Sequence, residues 1–263
     1  IWDNSADQAG ILFSNNGIVS FQNTMVTRNL SNNYPGGILA KNTDLILLNV
    51  TMTQNIVNET GFGGNLNIEK DSRLKVINTI LWENSGRELY LRDDGPIKSI
   101  YTAYSVIRDG ESGVVRSDMD TLIYHESNIE SDPLFISPED GYFYVTKESP
   151  CVDAGTDSLV VWGELISIPD SILIDGNGDG IATIDIGAYE KRVINVFPGD
   201  LNNDGIVDST DITNIVVNFH KSGIPRYKQL YQWDQTDTIL FTGYGAISWD
   251  NAVGISGEAL TYI

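Results

Sequence analysis

Cysteine is almost missing from this chain. Cys151 is the only one among 263 residues, so no internal disulfide can form. Its neighbours, Ser149-Pro150 before it and Val152-Asp153-Ala154-Gly155 after it, read as a buried structural thiol rather than a nucleophile. Histidine is nearly as scarce, with only His125 and His220. Basic residues are few: 16 Lys and Arg stand against 36 Asp and Glu, a formal net charge of −20. That balance disfavours unaided binding to DNA, RNA or anionic membranes. It suits calcium, and it equally suits a solvated surface whose only role is solubility. No apolar run is long enough to span a bilayer and no signal peptide is present, so neither a nucleic-acid partner nor membrane insertion is expected. The length leaves room for one large domain with a sizeable core and a second, small one.

Self-similarity fills the first hundred residues. Leu45-Ile46-Leu47-Leu48-Asn49-Val50-Thr51-Met52-Thr53-Gln54-Asn55 aligns with Leu74-Lys75-Val76-Ile77-Asn78-Thr79-Ile80-Leu81-Trp82-Glu83-Asn84. The stretch from Ile18 to Asn29 shares the frame, and the stretch from Ile100 to Asp109 keeps its apolar positions without the asparagines. Rows follow one another at 26, 29 and 26 residues, and three of them carry paired asparagines: Asn23/Asn29, Asn49/Asn55 and Asn78/Asn84. Gly/Asn turns such as Pro35-Gly36-Gly37 and Gly61-Phe62-Gly63-Gly64 separate the short β-branched runs. One row cannot bury its apolar face alone, whereas stacked rows can. Asparagines repeated at one corner can hydrogen-bond from coil to coil, which satisfies amides that are costly to bury unpaired. The expected class is therefore mostly β, a right-handed parallel β-helix solenoid followed by a small α-helical module. A β-sandwich is the structural rival. The pattern resembles the pectate-lyase-like parallel β-helix family. Ile1-Trp2-Asp3-Asn4-Ser5 matches Leu81-Trp82-Glu83-Asn84-Ser85, so the chain is expected to start at the end of a row, with further coils upstream.

Beyond Asp109 the rows become irregular. Asp132-Pro133-Leu134-Phe135, Gly141-Tyr142-Phe143-Tyr144-Val145, Ser149-Pro150-Cys151-Val152-Asp153-Ala154-Gly155 and Asp185-Ile186-Gly187-Ala188-Tyr189-Glu190 form a series. It resembles the choice-of-anchor closing region of secreted bacterial β-helix proteins, which ends the solenoid ahead of a surface anchor or sorting module. The expected domains are coils over 1–127, the closing region over 128–192 and a calcium module over 193–263.

The calcium module rests on Asp200-Leu201-Asn202-Asn203-Asp204-Gly205-Ile206-Val207-Asp208-Ser209-Thr210-Asp211, which puts oxygen side chains at loop positions 1, 3, 5, 9 and 12 and glycine at position 6. Calcium takes six to eight oxygens, and a loop offering them at alternate positions can wrap it. The expected ligands are Asp200, Asn202, Asp204, the carbonyl of Ile206, and Asp211, with Asp208 acting directly or through water. The alternative is a polar surface turn. A second candidate set, Asp175, Asn177 and Asp179, repeats the loop opening inside the closing region. Ile186 stands at its position 12, and Asp185, one residue early, is the remaining oxygen donor. A plain Gly/Asp turn is its rival.

Phe197-Pro198-Gly199 lets no helix enter the first loop, while Ile212, Ile215, Val216 and Phe219 recur at helical spacing after it. A loop with only an exiting helix, closed by Asp, resembles a type I dockerin repeat over about 200–220. The resemblance implies docking onto a cohesin-like domain through Ser209 and Thr210; ordinary helix-start chemistry is their other reading. Dockerins carry a second repeat, which Trp233 to Thr236 and Gly245 to Asn251 match only in outline. One well-formed site is expected in this module.

Lys41, Lys70, Arg73, Lys75, Arg87, Arg92, Lys98 and Arg108 form no recognisable lyase motif, and Asp71, Glu83, Asp93 and Asp94 read as solvated turn residues. No catalytic residue is assigned. Trp2, Trp82 and Tyr90 offer either a sugar-stacking surface or packing at coil edges. The sequence thus suggests a calcium-binding portion of a secreted or cell-surface bacterial β-helix protein, associated with polysaccharide binding or degradation and attached through its tail. The other reading is a non-catalytic adhesion protein with a calcium-stabilised spacer.

Overall fold

The computed structural model describes residues 1–7, 9–32, 37–58, 65–92, 95–168, 175 and 181–191. Within them the chain winds into a parallel β-solenoid of about four turns. Leu12–Thr27 runs parallel to Ile38–Thr53. That strand pairs in turn with Leu66–Glu69, Arg73–Ile77 and Ile80–Trp82, which together make the next coil. Leu89–Leu91, Ser99–Ala103 and Val106–Ile107 stack below them. Val114–Val115 and Thr121–Tyr124 follow, and Ile129 bridges to Val106. Phe21, Leu47, Val76 and Thr102 fall in one column, which is the register of the sequence repeat. The stacked strands pair in parallel throughout, unlike the antiparallel strands of a sandwich. The helical module expected over 193–263 lies outside them.

The asparagines make the corners. Asn23, Asn49 and Asn78 sit at φ of 46°, 51° and 48°, a left-handed conformation that Asn tolerates better than most residues. Their amides bond down the stack, Asn49 Nδ2 to Asn23 Oδ1 at 3.2 Å and Asn78 Nδ2 to Asn49 Oδ1 at 2.9 Å. In the fourth coil Tyr104 takes this position, at φ 49°, and stacks its ring on His125. The second column starts higher: Trp2 bridges to Thr27, and Asn4 joins Asn29, Asn55 and Asn84.

Alternate residues of each strand enter one interior, where Val26, Leu45, Leu47, Val50, Met52, Leu74, Val76, Leu81, Ile100 and Ile107 pack together. The run Leu45-Ile46-Leu47-Leu48 does not alternate, because its outward residues are covered as well. Leu48 and Ile77 pack with Val161, Ile166, Ile168 and Ile184. Strands buried on both faces read as continuous apolar runs.

The cover on these outer walls is the closing region. The described residues of this region run back along the outside of the coils as a strap. The antiparallel hairpin Ser158–Val161 with Glu164–Ser167 lies on the second wall. On the third wall, Val145, Cys151 and Ile186 pack against Ile80 and Val106. Gln54 in the second coil donates to Pro138 O at 3.4 Å, and Ala188 N donates to Thr51 Oγ1 at 3.0 Å. Asn78 ties strap and ladder together, giving Nδ2 to Thr156 O at 2.8 Å and accepting Thr156 N at Oδ1 at 3.0 Å.

Gly187 marks a close approach of strap to coil. Its φ is +117°, and a Cβ there would stand 2.9 Å from Ile80 Cδ1 and 3.0 Å from Thr51 Oγ1. Gly187→Ala is expected to cost about 2 kcal/mol of unfolding free energy through backbone strain and this contact. Urea melts against the parent chain check it.

Candidate metal residues and the charged walls

The loop from Asp200 to Asp211 lies outside the described residues, with Asn202, Asp204, Ile206, Asp208 and the candidate contact residues Ser209 and Thr210. Of the second candidate set, Asp175 and Asp185 are described, and Asn177 and Asp179 are not. Among the described residues, no group of three or more His, Cys, Asp or Glu side chains is placed to hold a metal ion.

Asp185 is fully buried. Its Oδ1 accepts Asp153 N at 2.7 Å, and its Oδ2 accepts Lys191 N. Its own N–H donates to Glu190, at 3.1 Å to Oε2. Asp153 Oδ1 in turn accepts Thr183 N at 3.4 Å. Carboxylates therefore pin the turn at Asp153 to the stretch from Thr183 to Lys191. Burial pushes the Asp185 carboxyl up to about 6, against the pull of the Asp153 and Lys191 amides. Burial, reinforced by the charge of Asp185, pushes Glu190 up to about 8. Carboxylate oxygens suit a hard cation by type. By placement, both oxygens of Asp185 are already engaged with backbone amides.

Cys151 is buried, with its thiol pushed up to about 12 chiefly by burial. A thiol held in that form is a poor nucleophile. Native protein should resist a thiol reagent that labels urea-unfolded protein fully; rapid labelling of the native chain would contradict this packing.

The basic residues that looked scattered in sequence are organised by the coils. Lys41 and Arg92 flank Glu69 on the first wall, at 2.9 and 3.3 Å, with the Glu69 side chain buried. Lys75 pairs with Glu164 of the strap, and Arg73 with Asp44 one coil above. Lys98 stands 3.8 Å from Asp120 in the interior, and Arg108 stands 3.4 Å from Glu88. These partners were missed because they lie one coil away or across on the strap, where no short motif reaches. Of the aromatic trio, Trp82 packs against the strap cluster, and Trp2 is exposed. Tyr90 is half-buried beside Asn67 of the neighbouring strand.

No helix of the described residues is long and apolar enough to cross a membrane. What the fold defines is a class, the parallel β-solenoid. No protein-family model, curated protein or solved structure matches the chain.

Proposed function

We propose that the chain belongs to a secreted, calcium-binding β-helix protein of a bacterium, associated with polysaccharide binding or degradation and attached to a partner through a dockerin-like tail. The observation that carries this reading is the order of parts along the sequence. A solenoid comes first, then a strap that reaches Lys191, and then the Asp200 to Asp211 ligand pattern. Calcium would supply the positive charge that gathers Asp200, Asn202, Asp204, Asp208, Asp211 and the Ile206 carbonyl into one loop. Ser209 and Thr210, beside the last ligand, would then be presented to a cohesin-like domain.

The non-catalytic adhesion reading is favoured by the basic side chains. Of the eight basic residues named on the coils, Lys41 and Arg92 are engaged with Glu69, and Arg73, Lys75, Lys98 and Arg108 each face an acid, so these six charges are spent within the fold.

Calorimetric titration with calcium tests the first part. The parent chain should show at least one tight site, and the double variant Asp200→Ala with Asp211→Ala should lose it; unchanged binding by that variant would count against these ligands. Screening on pectin, alginate and xylan then separates the two readings, with silence on all three favouring adhesion.

A further inference from the structure

The inner asparagine ladder has a direction. Asn4, Asn29 and Asn55 each point two donors, the backbone N–H and Nδ2, at the Oδ1 of the next asparagine: Asn29, Asn55 and Asn84 in turn. Asn84 has no asparagine below it. Continuing the Leu81 to Ile107 register brings Gly110, which has no side chain, to that place. The acceptor comes instead from Glu88. Its Oε1 takes Asn84 N at 3.3 Å and its Oε2 takes Asn84 Nδ2 at 2.7 Å. The Glu88 side chain is buried, and Arg108 Nε stands 3.4 Å from Oε1. Arg108 also holds the corner backbone, donating Nη2 to Asn84 O and Gly86 O, each at 2.9 Å.

We propose that Glu88 is a pH-operated clasp on the lower end of the asparagine ladder: ionised, it holds both donors of Asn84 and the Arg108 guanidinium, and protonated, it lets one Asn84 bond go while the coils stay stacked. An ionised carboxylate only accepts hydrogen bonds, whereas the acid carries a donor O–H. Three donors, Asn84 N, Asn84 Nδ2 and Arg108 Nε, already share the two oxygens, so an added O–H competes with them for the carboxyl's lone pairs and removes the charge that strengthens each bond. The rungs above are amides that do not titrate, so a response of the ladder to pH enters through Glu88. The charged groups facing it are Arg108 and Asp109, from the turn after Val106–Ile107; Glu130 fills the space over Gly110. Asn65 and Leu66, whose strand pairs with the residues after Glu88, are neutral.

Burial raises the Glu88 carboxyl to about 7, opposed by the Asn84 bonds and the Arg108 charge. The folded pKa thus lies above the ordinary value of 4.5. The folded chain binds the proton more tightly than the unfolded chain, so Glu88's contribution to stability is greatest in acid and falls as pH rises towards 7. Release of the Asn84 bond is therefore a local event and not the start of acid unfolding.

The test is a pH titration by NMR of the full chain, following the Glu88 carboxyl carbon and the Asn84 amides. Glu88 should titrate near pH 7. The backbone and side-chain amides of Asn84 should shift with the same midpoint, those of Asn55 should shift less, and the interior methyl signals should stay in place. Glu88→Gln should remove the Asn84 inflection. Arg108→Met keeps the carboxyl, so it should move the midpoint upward even if the Gln variant fails to fold. A Glu88 midpoint at the ordinary carboxylate value, or Asn84 amides that stay still while Glu88 titrates, would overturn the proposal.

Discussion

Asn55→Ala should lower the unfolding free energy by about 4 kcal/mol, because several buried polar groups lose a partner at once. Asn55 Oδ1 accepts Asn29 N at 3.1 Å and Asn29 Nδ2 at 2.9 Å. Its own Nδ2 donates to Val26 O at 3.0 Å and Asn84 Oδ1 at 2.8 Å. Alanine keeps the corner backbone but leaves those donors and acceptors where water does not reach. The cost of burying an unpaired polar group, about 1–3 kcal/mol each, exceeds the gain from the bond itself. Asn58→Ala is the control. Asn58 makes one similar bond to Asn32 at 3.1 Å, but at the surface, where water replaces the lost amide; its loss should cost under about 1 kcal/mol. Equal melts for the two variants would show that the inner ladder is not a source of stability.

Asp120→Ala should cost about 3–5 kcal/mol, the usual result of stripping one partner from a buried ion pair. Lys98 is the largest of the fully buried side chains among the described residues. Asp120 lies beside it and also organises the turn, since Oδ1 accepts Lys98 N at 2.9 Å and Oδ2 accepts Ser117 N at 3.2 Å and Ser117 Oγ at 3.1 Å. Asp120→Asn keeps an acceptor of the same shape while removing the charge, so it should fall between the parent and the alanine variant. Thermal melts at neutral pH check the order. If the Asn variant melts with the parent, the charge opposite Lys98 contributes little, and the loss in the Ala variant is that of the turn bonds.

The coils were legible because their cause is periodic. The same corner in each coil needs a residue that accepts a left-handed backbone and passes an amide bond along, so Asn23, Asn49 and Asn78 recur in step with the winding. Asn29, Asn55 and Asn84 recur for the second reason alone. The ends of those columns were not legible. Glu88 replaces an asparagine by reaching up from its own corner, off the period, and Tyr104 fills its corner by stacking rather than by hydrogen bonding. The path of the closing region was hidden for a related reason. Its motifs announce that the rows have stopped, but the walls it covers are shown only by the apolar outward residues Ile46, Leu48 and Ile80, whose partners stand far along the chain. Of the candidate metal residues, Asp185 is placed, buried among backbone amides and beside Glu190. The Asp200 to Asp211 loop belongs to residues outside the described part, so calcium remains a proposal drawn from the sequence pattern.

The charged walls show how far side-chain identity misleads without the winding. Arg92 and Lys41 read as isolated in sequence, yet they meet over one buried carboxylate, Glu69. A solenoid brings together residues one coil apart, so its chemistry is read down the columns rather than along the strands.

The stacking register carries every one of these statements, and a pair of engineered cysteines tests it directly. Ser20 and Ile46 are parallel partners on neighbouring coils. Neighbouring strands lie about 4.8 Å apart, within the separation a disulfide spans. Ser20→Cys with Ile46→Cys should oxidise to an internal disulfide, read by intact mass and thiol count, in a chain that remains folded. Ser20→Cys with Leu48→Cys, two residues out of step, should stay reduced under the same conditions. Cross-linking of the second pair in preference to the first would contradict the stacked coils.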